Sequence, residues 1–273
     1  MGTLLGHVLP GVAFLLTGLW WTYNIFERYF QTRQAPRQFQ ASLSFPIRRG
    51  SRVPWDCLIL LGLMVVGIIG EIVTGWRDGR LVEMGNGQHA TMYMCFALAA
   101  AAEAARRTGV GLVPGLEHAI CAMAFVAEAL LFAFHGHGTS DMEMLVHHLL
   151  LYVVLGSAAA TLAELTCRRS VLPALARCFF TLLQGTWFIQ VGFILFPPAG
   201  WHGWDVNSYR QQKLATAAFV WHWTGVLVAM ATMGTLLRLR TRTGAPVRMA
   251  GESDGRGTRP DSTKLLLSSE DEL

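Results

Sequence analysis

Apolar stretches of roughly 20 residues, the length that crosses a bilayer, alternate with short polar breaks along most of the chain. Seven can be drawn, over residues 5–28, 54–75, 88–106, 112–134, 143–167, 171–196 and 213–237. At a rise of about 1.5 Å per residue each reaches across a hydrocarbon layer of about 30 Å, with tilt absorbing the excess. The pattern predicts an all-α polytopic membrane protein, a seven-transmembrane-helix bundle occupying residues 1–240. After Leu237 the sequence turns to Arg, Gly, Ser and Asp, a composition that cannot bury a core, so residues 241–273 are expected to form a disordered tail. The first run has no basic residue before Arg28 and no small-residue cleavage site behind it, which predicts a retained helix.

Composition agrees: 52% of the 273 residues are hydrophobic and 15% charged, against about 25% charged in soluble domains. The formal charge of +4 does not point to nucleic acid, because the basic residues sit in short loops and in the tail. Their distribution instead sets an orientation. With the N-terminus outside or lumenal, 18 of the 22 Lys and Arg fall on the inner side, leaving Arg77, Arg80, Arg210 and Lys213 outside. The expectation is therefore N-out with a cytosolic C-terminus. The cysteines Cys57, Cys95, Cys121, Cys167 and Cys178 lie in or at the ends of apolar runs, a spacing of buried small hydrophobes rather than of a disulfide framework or CxxC site. Cys167, beside Arg168 and Arg169, is a palmitoylation candidate.

In this orientation polar side chains gather in the outer half. His7, Glu71, Gln88, His89, Glu128, His135, Glu143, His147, His148 and His222 come from six of the seven runs. They are densest between Phe125 and Tyr152, around the turn His135-Gly136-His137. Ionisable groups are expensive in lipid and are functional candidates there. Imidazole nitrogen with carboxylate oxygen suits Zn²⁺ at about 2.0–2.2 Å. The candidate ligands are His7, Glu71, His89, Glu128, His135, His137, His147 and His222. Glu128 precedes His135 by seven residues, and Glu143 precedes His147 by four, so each pair shares a helix face. No pair has the strength of an HExxH motif.

Each group also has a plainer reading. His135 and His137 are turn residues open to water. Glu128 is a neutral carboxyl hydrogen-bonded to a neighbouring helix, and His222 packs between Trp221 and Trp223. His148 points about 100° from His147, so only one of the two faces the cluster. Three functions stay open: a non-enzymatic membrane protein whose cluster holds a divalent metal or stabilises the bundle; an intramembrane zinc-dependent lipid hydrolase, where the metal lowers the pKa of a water to about 7; and a proton or cation transporter with Glu71, Glu128 and the histidines as relay. A second set, Glu103, Glu117, His118 and Glu164, lies at the inner end and is expected to meet water or pair with Arg106, Arg107 and Arg168, a structural role. No acidic-Arg-Tyr triplet follows the third run and the seventh lacks NPxxY, which argues against an ordinary G-protein-coupled receptor.

Several motifs form an ordered set: Gly6-His7-x-Leu9-Pro10-Gly11, Gln88-His89-x-Thr91-Met92-Tyr93, Glu128 with His135-x-His137, Leu183-Gln184-Gly185-Thr186-Trp187-Phe188, Phe196-Pro197-Pro198 and Trp221-His222. Over about residues 1–240 the chain in this respect resembles the transmembrane protein 45 family. That likeness implies a multi-pass membrane protein with no established biochemical activity. His7, Glu71, Gln88, His89, Glu128, His135, His137, His147, Glu164, Gln184, Gln190 and His222 match the family's polar pattern, whereas His148 and the basic loop from Gln31 to Pro54 depart from it. In the tail, Asp261 with Leu265 and Leu266 resembles an acidic dileucine signal readable by sorting adaptors, and Ser268 and Ser269 precede an acidic end. The expected location is the plasma membrane or an endomembrane, with the lipid bilayer as the principal partner.

Overall fold

The computed structural model describes residues 3–34, 38–47, 51, 53–77, 79–134 and 140–243. Among them seven helices follow one another: α1 (Leu4–Gln34), α2 (Trp55–Gly75), α3 (Met84–Arg107), α4 (Leu116–Ala133), α5 (Asp141–Thr166), α6 (Val171–Leu195) and α7 (Tyr209–Thr243). A hairpin of two short strands, β1 (Trp76–Arg77) and β2 (Arg80–Leu81), joins α2 to α3 with Trp76 opposite Leu81. Gly79 supplies the positive φ its turn needs. Helix starts are marked by local chemistry: the Ser140 side chain accepts from the Glu143 N–H, and that of Ser170 from the Leu172 N–H.

The helices track the apolar runs closely, although α1 continues to Gln34 and α7 begins at Tyr209. Six of them, all but α3, are long and apolar enough to cross a membrane. Asn86, Gln88, His89, Glu103, Arg106 and Arg107 dilute α3, yet its 24 residues rise about 36 Å. The protein is a multi-pass membrane protein; of the seven spans expected from sequence, six are described helices of membrane-spanning length and hydropathy, and α3 falls short.

Helix α6 is the axis. It is the most buried span and packs on α1, α5 and α7, while α4 lies on α5, α3 on α4, and α2 on α3. The α1–α6 contact is close because glycines face each other. A Cβ on Gly185 would sit 2.5 Å from the Leu15 nitrogen and 2.8 Å from the Gly11 oxygen, an approach only small residues permit. Trp187, Leu183, Phe125, Leu150, Val146 and Ile25 fill the core around this axis. At the periphery α2 exposes Val66, Ile69 and Val73, as a lipid-facing helix does.

Successive helices run up and down, so the bundle has two poles. The N-terminal pole carries the beginning of α1, the end of α2 and the beginnings of α3, α5 and α7. At the other pole the chain does something the helical period does not announce. Residues 38–47, between α1 and α2, turn inward and bury Phe39, Ala41, Leu43 and Phe45 in the main core. The Ala41 N–H donates to the Arg168 carbonyl at 2.8 Å, and the Phe45 N–H to Asp56 Oδ2 at 2.7 Å. This pole is called the strap pole below.

Candidate functional site

At the N-terminal pole the expected cluster separates into pairs. His7 on α1 and His147 on α5 are both buried, with ring centroids 6.0 Å apart and edge to face. Each ring is fixed the same way. His7 Nδ1 bonds the Thr3 carbonyl at 3.0 Å, and His147 Nδ1 the Glu143 carbonyl at 2.7 Å. A ring whose Nδ1–H is given to a carbonyl carries its lone pair on Nε2, the orientation found in metal-ligating histidines. Phe188 and Phe196 lie beside His7, and Phe132 beside His147.

Glu128 on α4 is buried and paired with Gln184 on α6, whose Nε2 donates to Glu128 Oε1 at 2.7 Å. Glu128 Oε2 and Gln184 Oε1 have no partner among the described residues. A carboxyl O–H, unlike a carboxylate, can donate to an amide oxygen, so a protonated Glu128 has a use for both of these atoms.

Glu71 on α2 and His89 on α3 meet at 3.3 Å and are partly exposed. His222 on α7 packs edge to face on Trp187 at 5.7 Å, and the Trp187 indole donates to the Val146 carbonyl at 3.0 Å. His148 points away and is exposed. His135 and His137 lie outside the described residues. Among the described residues no three His, Cys, Asp or Glu side chains gather as a metal site would require.

The strap pole is different in kind. Arg177, fully buried on α6, donates to both oxygens of Glu164 on α5, at 2.6 and 3.2 Å, and to the Ser42 carbonyl at 3.1 Å. Its guanidinium stacks over the Trp21 ring at 4.2 Å. His118 lies between two carboxylates, with Nδ1 2.9 Å from Glu117 Oε1 and Nε2 3.6 Å from Glu164 Oε1. Arg168 reaches Glu117 at 2.8 Å. Arg106 grips Glu103, which also accepts from Ser44 Oγ in the strap. Arg107 approaches Ser44 and Asp56, and Arg28 donates to the Gln40 carbonyl while covering the Phe45 ring.

The expected pairings of Arg106 and Arg168 are therefore present, and two features go beyond them. Arg177, counted by sequence among topology-setting charges, sits inside the bundle. The strap itself supplies ligands to the network. Its signal was present in the sequence as strict alternation, Phe39-Gln-Ala41-Ser-Leu43-Ser-Phe45, the period of an extended segment with one buried side.

Known proteins give the family context. Residues 114–234 match a family of unknown function, DUF716. The chain is 24% identical to transmembrane epididymal protein 1A of Mus musculus over 241 residues, 81% of this chain and 76% of that protein. It is 29% identical to transmembrane epididymal protein 1 of Rattus norvegicus over 136 residues, 50% of this chain and 45% of the other. Identity to the Homo sapiens protein of that name is also 29%, over 108 residues, 40% of each chain. The matched family segment contains Glu117, His118, Glu128, His147, Glu164, Arg177, Gln184 and His222, and stops short of His7 and the strap. The resemblance carried by the motifs thus holds: this chain is related to membrane proteins whose family has no assigned function.

Proposed function

We propose that the chain is a non-enzymatic seven-helix membrane protein, N-terminus outside or lumenal, whose N-terminal pole holds a divalent metal of zinc type at His7 and His147. The observation that supports this reading is the matched fixing of the two buried rings by backbone carbonyls one turn back, with centroids 6.0 Å apart. Two imidazoles on one zinc place their centroids about 5 Å apart, so the spacing of these rings lies within about 1 Å of that value. Further ligands would come from His135 and His137, which follow Phe132 in the chain by three and five residues, the Phe132 ring lying beside His147. Glu128, Glu71, His89 and His222 would serve packing in their own pairs. A lipid hydrolase or a proton relay would need a polar path joining these pairs, and the buried Glu128–Gln184 pair favours a sealed core instead.

Elemental mass spectrometry of the detergent-purified chain tests the reading. About one zinc per chain is expected, lost in His7→Ala/His147→Ala and retained in His222→Ala. A metal-free wild-type protein would sink it.

The orientation has its own test in Cys167, an exposed free thiol in the α5–α6 turn. An impermeant maleimide should label it only after cells are permeabilised, and labelling of intact cells would reverse the topology. The tail positions Asp261, Leu265 and Leu266 lie outside the described residues. We assign them to sorting, which predicts that Leu265→Ala/Leu266→Ala moves the protein between the plasma membrane and endomembranes in fluorescence images. An unchanged distribution removes that role.

A further inference from the structure

Beneath the strap is a cavity of about 280 Å³ whose wall includes Arg28, Arg106, Arg107 and Arg168, together with Gln40 and Ser44. These guanidinium groups come from α1, from the end of α3 and from the α5–α6 turn, and nothing in the helical packing alone requires them to converge. At about 30 Å³ per water the space holds roughly nine water volumes, the scale of a small polar headgroup.

The wall carries four guanidinium groups and one carboxylate, Glu117. Counting the groups just behind it, five arginines with Arg177 face the four carboxylates Asp56, Glu103, Glu117 and Glu164, so the Arg and carboxylate groups alone leave a formal charge of +1. The arginines also retain donors. Each guanidinium has five N–H groups, and among the described residues Arg28 uses one on the Gln40 carbonyl and Arg107 one on Ser44. Glu117 and His118, in the first turn of α4, place a helix N-terminus at the same opening. Donors left over on Arg28 and Arg107, beside Arg106 held by Glu103 and Arg168 held by Glu117, join net positive charge and a helix N-terminus at one partly open cavity, a receptor for an anion with several oxygens.

We infer that the strap-pole cavity binds a phosphomonoester, held by Arg28, Arg106, Arg107 and Arg168 beneath residues 38–47. A monoester presents three terminal oxygens and up to two charges to the converging forks, whereas a phosphodiester presents two oxygens and one charge. The chemistry fits equally a phosphomonoester lipid headgroup entering from the adjacent leaflet and a small soluble phosphate ester. The inference does not depend on a metal at the opposite pole.

The test uses the full chain in uncharged detergent and measures binding by calorimetric titration with four probes. These are dioctanoyl phosphatidic acid, dioctanoyl phosphatidylglycerol, glycerol 3-phosphate and inorganic phosphate. Dioctanoyl phosphatidic acid should bind at least about tenfold more tightly than the diester phosphatidylglycerol. If glycerol 3-phosphate or inorganic phosphate binds as well as the lipid, the ligand is soluble; if the acyl chains are required, it is a lipid.

Arg28→Gln/Arg107→Gln should weaken binding by about tenfold or more, while Arg77→Gln/Arg80→Gln at the other pole should leave it unchanged. Equal affinity for monoester and diester overturns the inference, as does unaltered binding in a monodisperse Arg28→Gln/Arg107→Gln protein. So does the absence of saturable binding by wild type at millimolar concentrations. The monoester–diester comparison uses wild-type protein and decides the matter even where the variant fails to fold.

Discussion

The two poles solve the same physical problem, polar side chains among apolar helices, in opposite ways. At the N-terminal pole the groups meet across helices in twos: His7 with His147, Glu128 with Gln184, Glu71 with His89. In the first pair each ring is fixed by a carbonyl of its own helix, and in the second one amide N–H donates to one carboxyl oxygen. At the strap pole the groups are charged and shared. Glu164 faces both Arg177 and His118, Glu117 both His118 and Arg168, and Glu103 both Arg106 and the strap. Separable pairs permit one helix to shift without unpairing the rest. A network that spans α3, α4, α5, α6 and a loop ties them into one unit, because losing any member strands its neighbours.

The contrast breaks most visibly at Arg177 and Glu164, where both side chains are fully buried. Replacing one partner of such a pair leaves an uncompensated charge, at a cost of about 3–5 kcal/mol. Arg177→Met and Glu164→Leu should therefore each lower the unfolding midpoint in detergent by a large margin. The double replacement should recover most of it, because two apolar side chains no longer strand a charge. Recovery will be incomplete, since Arg177 also holds the Ser42 carbonyl and covers Trp21. Near-neutral single variants would mean that water reaches the pair, and the picture of a dry, tied network would fall.

How much of this was legible in the sequence follows from the range of the interactions. The seven helices were, because hydrophobic period and length are local properties of the chain. The partners of polar groups were only partly so. Pairing Arg106 and Arg168 with the inner carboxylates required only knowing which end of each helix they occupy, and both pairings are found. The Glu128–Gln184 bond joins residues on α4 and α6 that are remote in the chain, and only packing fixes that register. Glu128 was legible as a carboxyl hydrogen-bonded to a neighbouring helix, although its partner was not.

Arg177 was counted with the loop arginines because charge counting treats every basic residue near a helix end alike. Its burial depends on Glu164 lying opposite it on α5. The strap was missed for another reason. Its period-two alternation sits among many arginines, and a loop rich in charge reads as solvated unless the spacing is tested separately. The eight-residue ligand set rested on a related shortcut. Sharing a leaflet is a one-dimensional criterion, whereas ligation needs side chains to meet around one point, and among the described residues no three His, Cys, Asp or Glu do so.

The finest test of the comparison is Glu128→Gln, which should scarcely matter. A glutamine at 128 can accept from Gln184 Nε2 through its own carbonyl and donate its amide N–H to Gln184 Oε1, reproducing both bonds of a neutral acid–amide pair. The expected change in stability is below about 1 kcal/mol, since no buried donor or acceptor is orphaned. Glu128→Leu removes both partners of Gln184 and should cost about 1–3 kcal/mol. The order of these two variants in a detergent unfolding series is the informative result. Were Glu128→Gln the more damaging, Glu128 would be an ionised carboxylate with a cationic partner, and the N-terminal pole would hold buried charge as the strap pole does. With the expected order, the same amino-acid type is neutral at one pole and half of an ion pair at the other, distinguished by whether the helix opposite offers an amide or a guanidinium.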